Sequence, residues 1–179
     1  MKGSIEALHK ILGHKAPPAI YNAGTTPNRR AEHYDFWVAK TLKTWQDRRT
    51  LVGNGQCPVL VQMATGAPLV ATWLRGPLVK GNKAIPRGTA IAVFDPDGFY
   101  SNNGTYPRHA ALYLSQDLKG LWVLDQWAGR DVSSKGFLRQ LPFGSRTGHN
   151  TVNGGDYFHV VLTAKYTEFD WAAAYGSGA

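Results

Sequence analysis

A lone cysteine, Cys57, stands in a chain of 179 residues, so no disulfide can close within it and its folding does not depend on an oxidising compartment. The same scarcity excludes a cysteine-rich zinc module. Acidic residues are also few, 12 Asp and Glu against 20 Lys and Arg, which leaves a formal charge of +8. No run approaches the ~18 apolar residues of a membrane span. The opening MKGSIEALHKILGHKAPP lacks the apolar core and small-residue cleavage pattern of a secretory signal. The expectation is a protein that is cytoplasmic in its producer and that reaches any other compartment without a leader.

Metal and phosphate signatures are missing too. His9, His14, His33, His149 and His159 form no i, i+4 pair and no His-X-His, and no cysteine accompanies them. The stretch DPDG (95–98) begins like a calcium loop but lacks the later acids at ligand spacing, so a turn is the stronger reading. GNG (53–55) is followed by no Gly-Lys-Ser/Thr and is not a phosphate loop. No metal and no cofactor are expected.

What the chain does have is glycine (20), proline (10) and aromatic residues (12%), a balance that suits a loop-rich, sheet-built domain. SIEALHKIL (4–12) spaces Ile5, Leu8 and Leu12 at helical intervals, with Ser4 as N-cap and Gly13 as stop. AEHYDFWVAKTLKTWQ (31–46) reads as a second helix with Tyr34, Val38, Leu42 and Trp45 as its buried stripe. A third helix, about 57–64, starts at Cys57, with Pro58 in the first turn where its missing N–H is tolerated. A loop carrying Trp73 and RGPLVKGNKAIPRG follows. Then come five β-type runs: 88–94, 109–115, 120–127, 136–143 and 157–164. SRTGHNTVNGGD (145–156) is too long for a tight hairpin and reads as a surface loop. The expected architecture is α+β: N-terminal helices packed on an antiparallel meander sheet. It forms one domain over 1–179, helical to about 66 and sheet from about 86 to 165.

A thiol attacks as thiolate, and a helix start lowers its pKa through unpaired N–H groups and the helix dipole. Cys57 stands at such a start and is the candidate nucleophile. His109 opens a strand run and is the candidate base. A third group must orient the imidazole. In an antiparallel hairpin, a five-residue loop over 115–119 sets His109 directly opposite Asp125, and a three-residue loop leaves the two diagonal but on one face. A four-residue loop opposes His109 to Gln126 instead. Asp125 is the first choice and Gln126 the reserve; Arg130, close by in sequence, is an alternative partner for Asp125.

GQCPVLV, IPRGTAIAVF and HAALYLSQDLKGLWVLDQW together resemble the papain-like NlpC and CHAP superfamily of cell-wall amidases and endopeptidases. The likeness covers roughly residues 52–143 and is strongest in the histidine-to-LDQW block. It is similar in particular to uncharacterised bacterial amidase-like proteins and to the amidase effectors of type VI secretion. The resemblance implies a papain-like fold, Cys57 as nucleophile, His109 as general base and acid, and Asp125 as orienting acid. It implies hydrolysis of an amide in the peptide stem of peptidoglycan, an antibacterial effector delivered to a target periplasm, and a cognate immunity protein as partner. Pro58 departs from the pattern: many such enzymes have a small polar residue there, and proline offers no N–H to an oxyanion. Gln56 is either the missing donor or a helix-entry residue pointing away.

Tyr113, Trp73, Tyr106 and Trp127 are candidates to line a substrate groove, since flat amphipathic rings pack on sugars and peptide stems. Tyr100 belongs to the same set of aromatics. The positive charge suits an anionic partner: peptidoglycan, another anionic polymer, or nucleic acid. Two other functions are compatible with the chain. One is papain-like chemistry on a non-wall amide, as a deamidase, acyltransferase or peptidase. The other is a basic nucleic-acid-binding module without catalysis, which ranks below because no RNP-type or helix-turn-helix signature is present.

Overall fold

The structure, a computed structural model, describes residues 33–100, 106, 108–144 and 153–165. Among these, seven strands form one antiparallel sheet: β1 (His33–Phe36), β2 (Leu74–Leu78), β3 (Ala90–Ala92), β4 (Ala110–Gln116), β5 (Gly120–Leu124), β6 (Leu138–Pro142) and β7 (His159–Lys165). β3 to β6 run as a meander, and β7 returns to pair beside β3. Leu162 pairs with both Phe36 and Leu74, so β1 and β2 lie on opposite sides of β7. Two helices are described, α1 (Leu42–Asp47) and α2 (Cys57–Thr65).

The antiparallel sheet expected from the five β-type runs is present, with β3 trimmed to three residues. Two expectations are corrected. Residues 31–46 are not one helix: His33–Phe36 is a strand on β7, and only Leu42–Asp47 is helical. Tyr34 and Phe36 are buried while Asp35 and Trp37 are half-buried, a period of two that aromatic side chains favour. The helical reading had taken Tyr34 with Val38 and passed over the closer alternation. The second correction is β2, Leu74–Leu78, which falls in the stretch expected to be a loop and contains Gly76 and Pro77. Gly76 is required by the pairing itself, since a Cβ there would meet the Val160 carbonyl oxygen at 2.6 Å. The strand accommodates both residues through an irregularity between Arg75 and Leu78. The helix expected over 4–12 and most of the loop over 145–156 lie outside the described residues.

The sheet is buried on both faces. Along β4, Ala110, Leu112 and Leu114 face α2, packing with Leu60, Val61 and Trp73, whereas Ala111 and Tyr113 pack with Phe158 and Val160 on the other face. Leu60 and Val61 are fully buried, each contributing about 1.5–3 kcal/mol relative to exposure. The small side chain of Ala110 lets α2 come close to the strand. Gly66 ends α2 in the left-handed region (φ 80°), and its N–H donates to the Gln62 carbonyl at 2.7 Å. These contacts fix where the first residue of α2, Cys57, must sit: at the mouth of the sheet, beside the start of β4.

Candidate active site

Cys57 is the first residue of α2, and the loop before it is held rather than left to wander. Gly55 takes φ 78° and passes so near β5's exit that a Cβ would lie 3.3 Å from the Ala128 Cα. The fully buried Gln126 side chain completes the hold. Its amide donates to the Val52 carbonyl (3.0 Å) and to the Gln56 carbonyl (2.9 Å), and its oxygen accepts from the Val52 N–H (2.9 Å). Gln126 therefore does not orient the imidazole; it anchors the loop that leads into Cys57. Gln56 supplies a backbone carbonyl to that anchor, and its own side chain is exposed.

His109 lies one residue before β4, and its carbonyl accepts from the Val93 N–H (2.9 Å). The register Leu112↔Leu124 and Tyr113↔Val123 sets Asp125 across from Ala111, one pleat along from His109 on the same face. His109 Nε2 lies 2.7 Å from Asp125 Oδ2. This is the diagonal placement that the shorter odd loop gave. The turn end of the hairpin obeys another register, Ser115↔Trp122 and Gln116↔Leu121, and Leu114 is the extra residue between them. Without that bulge Asp125 would face Leu112's side of the sheet and be lost to His109.

The imidazole also acts on the Cys57 thiol, each group shifting the other's titration. With Nε2 given to Asp125, Nδ1 is the nitrogen left to face sulfur. The thiol has two further neighbours: the Tyr100 hydroxyl at 3.4 Å, and a backbone hydrogen bond from Ala110. Burial alone would raise the thiol's pKa; His109, Tyr100 and Ala110 outweigh it and hold Cys57 below its ordinary value. Burial likewise disfavours charge on His109, but the bond to Asp125 and the thiol opposite raise it to about 9. Tyr100 is pushed above the ordinary phenol range by burial and by the charge of Cys57, so it stays protonated. The arrangement is that of a thiolate and an imidazolium side by side.

Asp125 is itself bracketed by cations. Oδ1 accepts from Arg130 Nη1, and Oδ2 accepts from Arg139 Nη2 and from Arg139 Nε (2.9 Å). Burial would favour its neutral form; His109 and then Arg139 outweigh that and keep the carboxylate charged. Trp127, 38% exposed, covers both guanidinium groups at 4.8 and 5.0 Å and stands edge-on to His109 with centroids 6.4 Å apart. Tyr106 is exposed as well. The other two groove candidates are corrected: Trp73 (0% exposed) and Tyr113 (5%) are core residues, on opposite faces of the sheet. Both are large rings whose apolar area is spent on packing.

Two residues of the site escaped the sequence reading. Arg139 pairs with Val123 across β5 and β6, so its side chain shares the face of Asp125; deriving that second register would have found it. Tyr100 was grouped with the groove aromatics, and no local spacing ties it to a cysteine 43 positions earlier. Among the described residues no cluster of three or more His, Cys, Asp or Glu could hold a metal ion.

Antiparallel sheet, packed helix, and a thiol, imidazole and carboxylate brought together at one site place the chain among α+β proteins with a cysteine–histidine–acid centre. Within that class it belongs to the domesticated amidase effector 2 family, whose sequence model matches residues 38–161. It is 38% identical over 113 residues to the type VI secretion amidase effector 2 protein of Salmonella typhi, covering 61% of this chain and 83% of that one. It is 36% identical over 115 residues to domesticated amidase effector 2 of Ixodes scapularis, covering 62% and 74% respectively. Among solved structures, a type 6 secretion amidase effector 2 superposes with a TM-score of 0.60 at 30% identity, covering 74% of this chain and 97% of that chain.

Proposed function

We propose that this chain is a papain-like cysteine amidase that hydrolyses an amide bond in the peptide stem of bacterial peptidoglycan. The observation that carries the reading is the convergence of three groups: His109 Nε2 lies 2.7 Å from Asp125, and Cys57 and His109 stand close enough to shift one another's pKa. Family membership supports the amidase activity, and likeness to the type VI secretion amidase effector 2 protein of Salmonella typhi supports delivery by type VI secretion. In this reading the Cys57 thiolate attacks the carbonyl carbon and forms a tetrahedral adduct. The His109 imidazolium then gives its proton to the leaving amine, and a thioester remains. The neutral imidazole next takes a proton from water, the hydroxide adds to the thioester, and the thiolate leaves. Asp125 holds the ring in one orientation and stabilises its cationic form.

The +8 charge would hold the enzyme on an anionic wall. An effector of this kind acts in the periplasm of a target cell, and its producer is protected by a cognate immunity protein. The deciding experiment is digestion of purified sacculi, with released muropeptides identified by mass. Wild type should release stem fragments carrying one new amine each, and Cys57→Ala should release none while keeping its melting behaviour. Release by Cys57→Ala at the wild-type rate would refute the reading.

A further inference from the structure

An attack on an amide carbonyl moves the π electrons onto oxygen, and that oxyanion needs two hydrogen-bond donors. The first turn of α2 is poorly supplied. Pro58 has no N–H, and the Val59 N–H is already given to the Gln56 carbonyl at 3.1 Å. The Cys57 N–H is the backbone donor that remains in the helix; outside it, the donors at the sulfur are the Ala110 N–H and the Tyr100 hydroxyl. The exposed Gln56 side chain makes no capping bond, and none of the described residues holds it over the sulfur. Tyr100 is held. Its ring is wedged edge-on against Trp73 (5.3 Å) and Phe94 (6.3 Å), it is 4% exposed, and its hydroxyl stands 3.4 Å from the Cys57 sulfur.

Resting on the amidase reading above, we propose that Tyr100 is a catalytic residue: its hydroxyl donates to the oxygen of the tetrahedral adduct. Bond lengths make this placement feasible. In an adduct on sulfur the oxyanion lies about 2.7 Å from Sγ, so a hydroxyl 3.4 Å from sulfur reaches that oxygen at ordinary hydrogen-bond length with little movement. In the resting state the same hydroxyl faces the thiolate. As the S–C bond forms, negative charge passes from sulfur to oxygen, and the Tyr100 O–H turns from one to the other. No proton leaves Tyr100. His109 still supplies the proton to the amine when the adduct collapses.

The test compares wild type, Tyr100→Phe, Gln56→Ala and Cys57→Ala on purified sacculi, counting new amino groups with an amine-reactive dye from pH 6 to 10. Iodoacetamide alkylation of each variant reports thiolate content over the same range. Tyr100→Phe should be slower by about 10²-fold at every pH, including pH values at which its thiol alkylates at the wild-type rate. Gln56→Ala should stay within a few-fold of wild type. Recovery of Tyr100→Phe once the thiol is ionised would mean the hydroxyl serves only the thiolate, and the proposal fails. It fails equally if Gln56→Ala carries the large loss, or if Tyr100→Phe turns over normally while Cys57→Ala is dead. A wild type that releases no amine, or a Cys57→Ala that still does, overturns the amidase reading and this proposal together. Should Tyr100→Phe not fold, 3-fluorotyrosine and 3,5-difluorotyrosine at position 100 keep ring and hydroxyl. Hydrolysis must then change steadily with donor acidity, and an unchanged rate overturns the proposal.

Discussion

Asp125 and Gln126 are consecutive in the chain, and each holds one half of the cysteine–histidine pair. Asp125 bonds to the His109 ring at 2.7 Å, and Gln126 bonds to the carbonyl of Gln56, the residue before Cys57, at 2.9 Å. Adjacent residues past a strand's end project to opposite sides, so one exit from β5 serves both partners. Both the imidazole and the loop that leads into Cys57 are thereby tied to a single dipeptide, in addition to the packing of α2 on β4.

Replacing Gln126 should therefore be severe. Gln126→Ala removes three hydrogen bonds, two of them fully buried, and leaves the buried Val52 N–H unpaired, while the Val52 and Gln56 carbonyls keep the Gly55 and Val59 N–H groups. The expected loss of stability is roughly 2–4 kcal/mol, from the lost bonds and the unsatisfied buried donor. Turnover of the folded fraction should also fall, because the loop that carries Cys57 is released. Gln126→Glu keeps the acceptor for Val52 but loses both donors, and should fall between. Urea unfolding and turnover on one muropeptide decide this; a Gln126→Ala variant as stable and active as wild type would show the anchor to be idle.

Asp125→Asn keeps the shape and removes the charge that three cationic groups share. Its amide can no longer balance Arg130 and Arg139, and it no longer favours the imidazolium. Turnover should drop by about 10²- to 10⁴-fold, in line with loss of the acid from a nucleophile–histidine–acid set. The pKa of His109, followed by the NMR shift of its ring, should fall from about 9 toward the ordinary value of 6.5. An unchanged His109 titration would mean that the thiolate alone supports the imidazolium.

The sequence carried the site further than it carried the fold. Cys57, His109 and Asp125 were legible because helix starts and hairpin pairing obey short-range geometry, and two of three loop lengths put the acid on the histidine's face. What hid the true register was Leu114, a bulge whose residue is an ordinary apolar strand former. His33–Phe36 was misread because Tyr34 and Val38 also fit a helical stripe, and only pairing with β7 decides between periods of two and 3.6. β2 was hidden by Gly76, present for contact with Val160 rather than for a turn. The role of Gln126 depends on contacts 70 and 74 positions away, which no local pattern encodes.

Salt separates wall docking from chemistry. If the +8 charge holds the enzyme on an anionic polymer, hydrolysis of intact sacculi should decline as salt rises from low to physiological strength and beyond. Hydrolysis of a soluble stem peptide should change little, because the buried His109–Asp125 pair is shielded from solvent ions. Parallel decline on both substrates would remove the surface charge from the mechanism.

The pH profile tests the ion pair directly. Cys57 is held below its ordinary value and His109 is raised to about 9, so thiolate and imidazolium coexist between the two. Amide hydrolysis needs both, one to attack and one to protonate the amine. Activity should rise with ionisation of Cys57 on the acid side and fall as His109 loses its proton around pH 9. Alkylation by iodoacetamide needs only the thiolate, so it should follow the acid limb and continue through the alkaline one. Stability has a linked sign. A histidine raised from 6.5 to about 9 on folding contributes fully below 6.5, and that contribution is lost as pH rises through 9. Cys57, held below its ordinary value, contributes with the opposite sign over the same range, so the comparison is made without the thiol: the Tm of Cys57→Ala should fall between pH 6.5 and 10 by more than that of Cys57→Ala/His109→Gln, which has no imidazole proton to lose there. A hydrolysis rate still climbing at pH 10, or the same Tm slope in both proteins, would show that His109 is not held as the imidazolium.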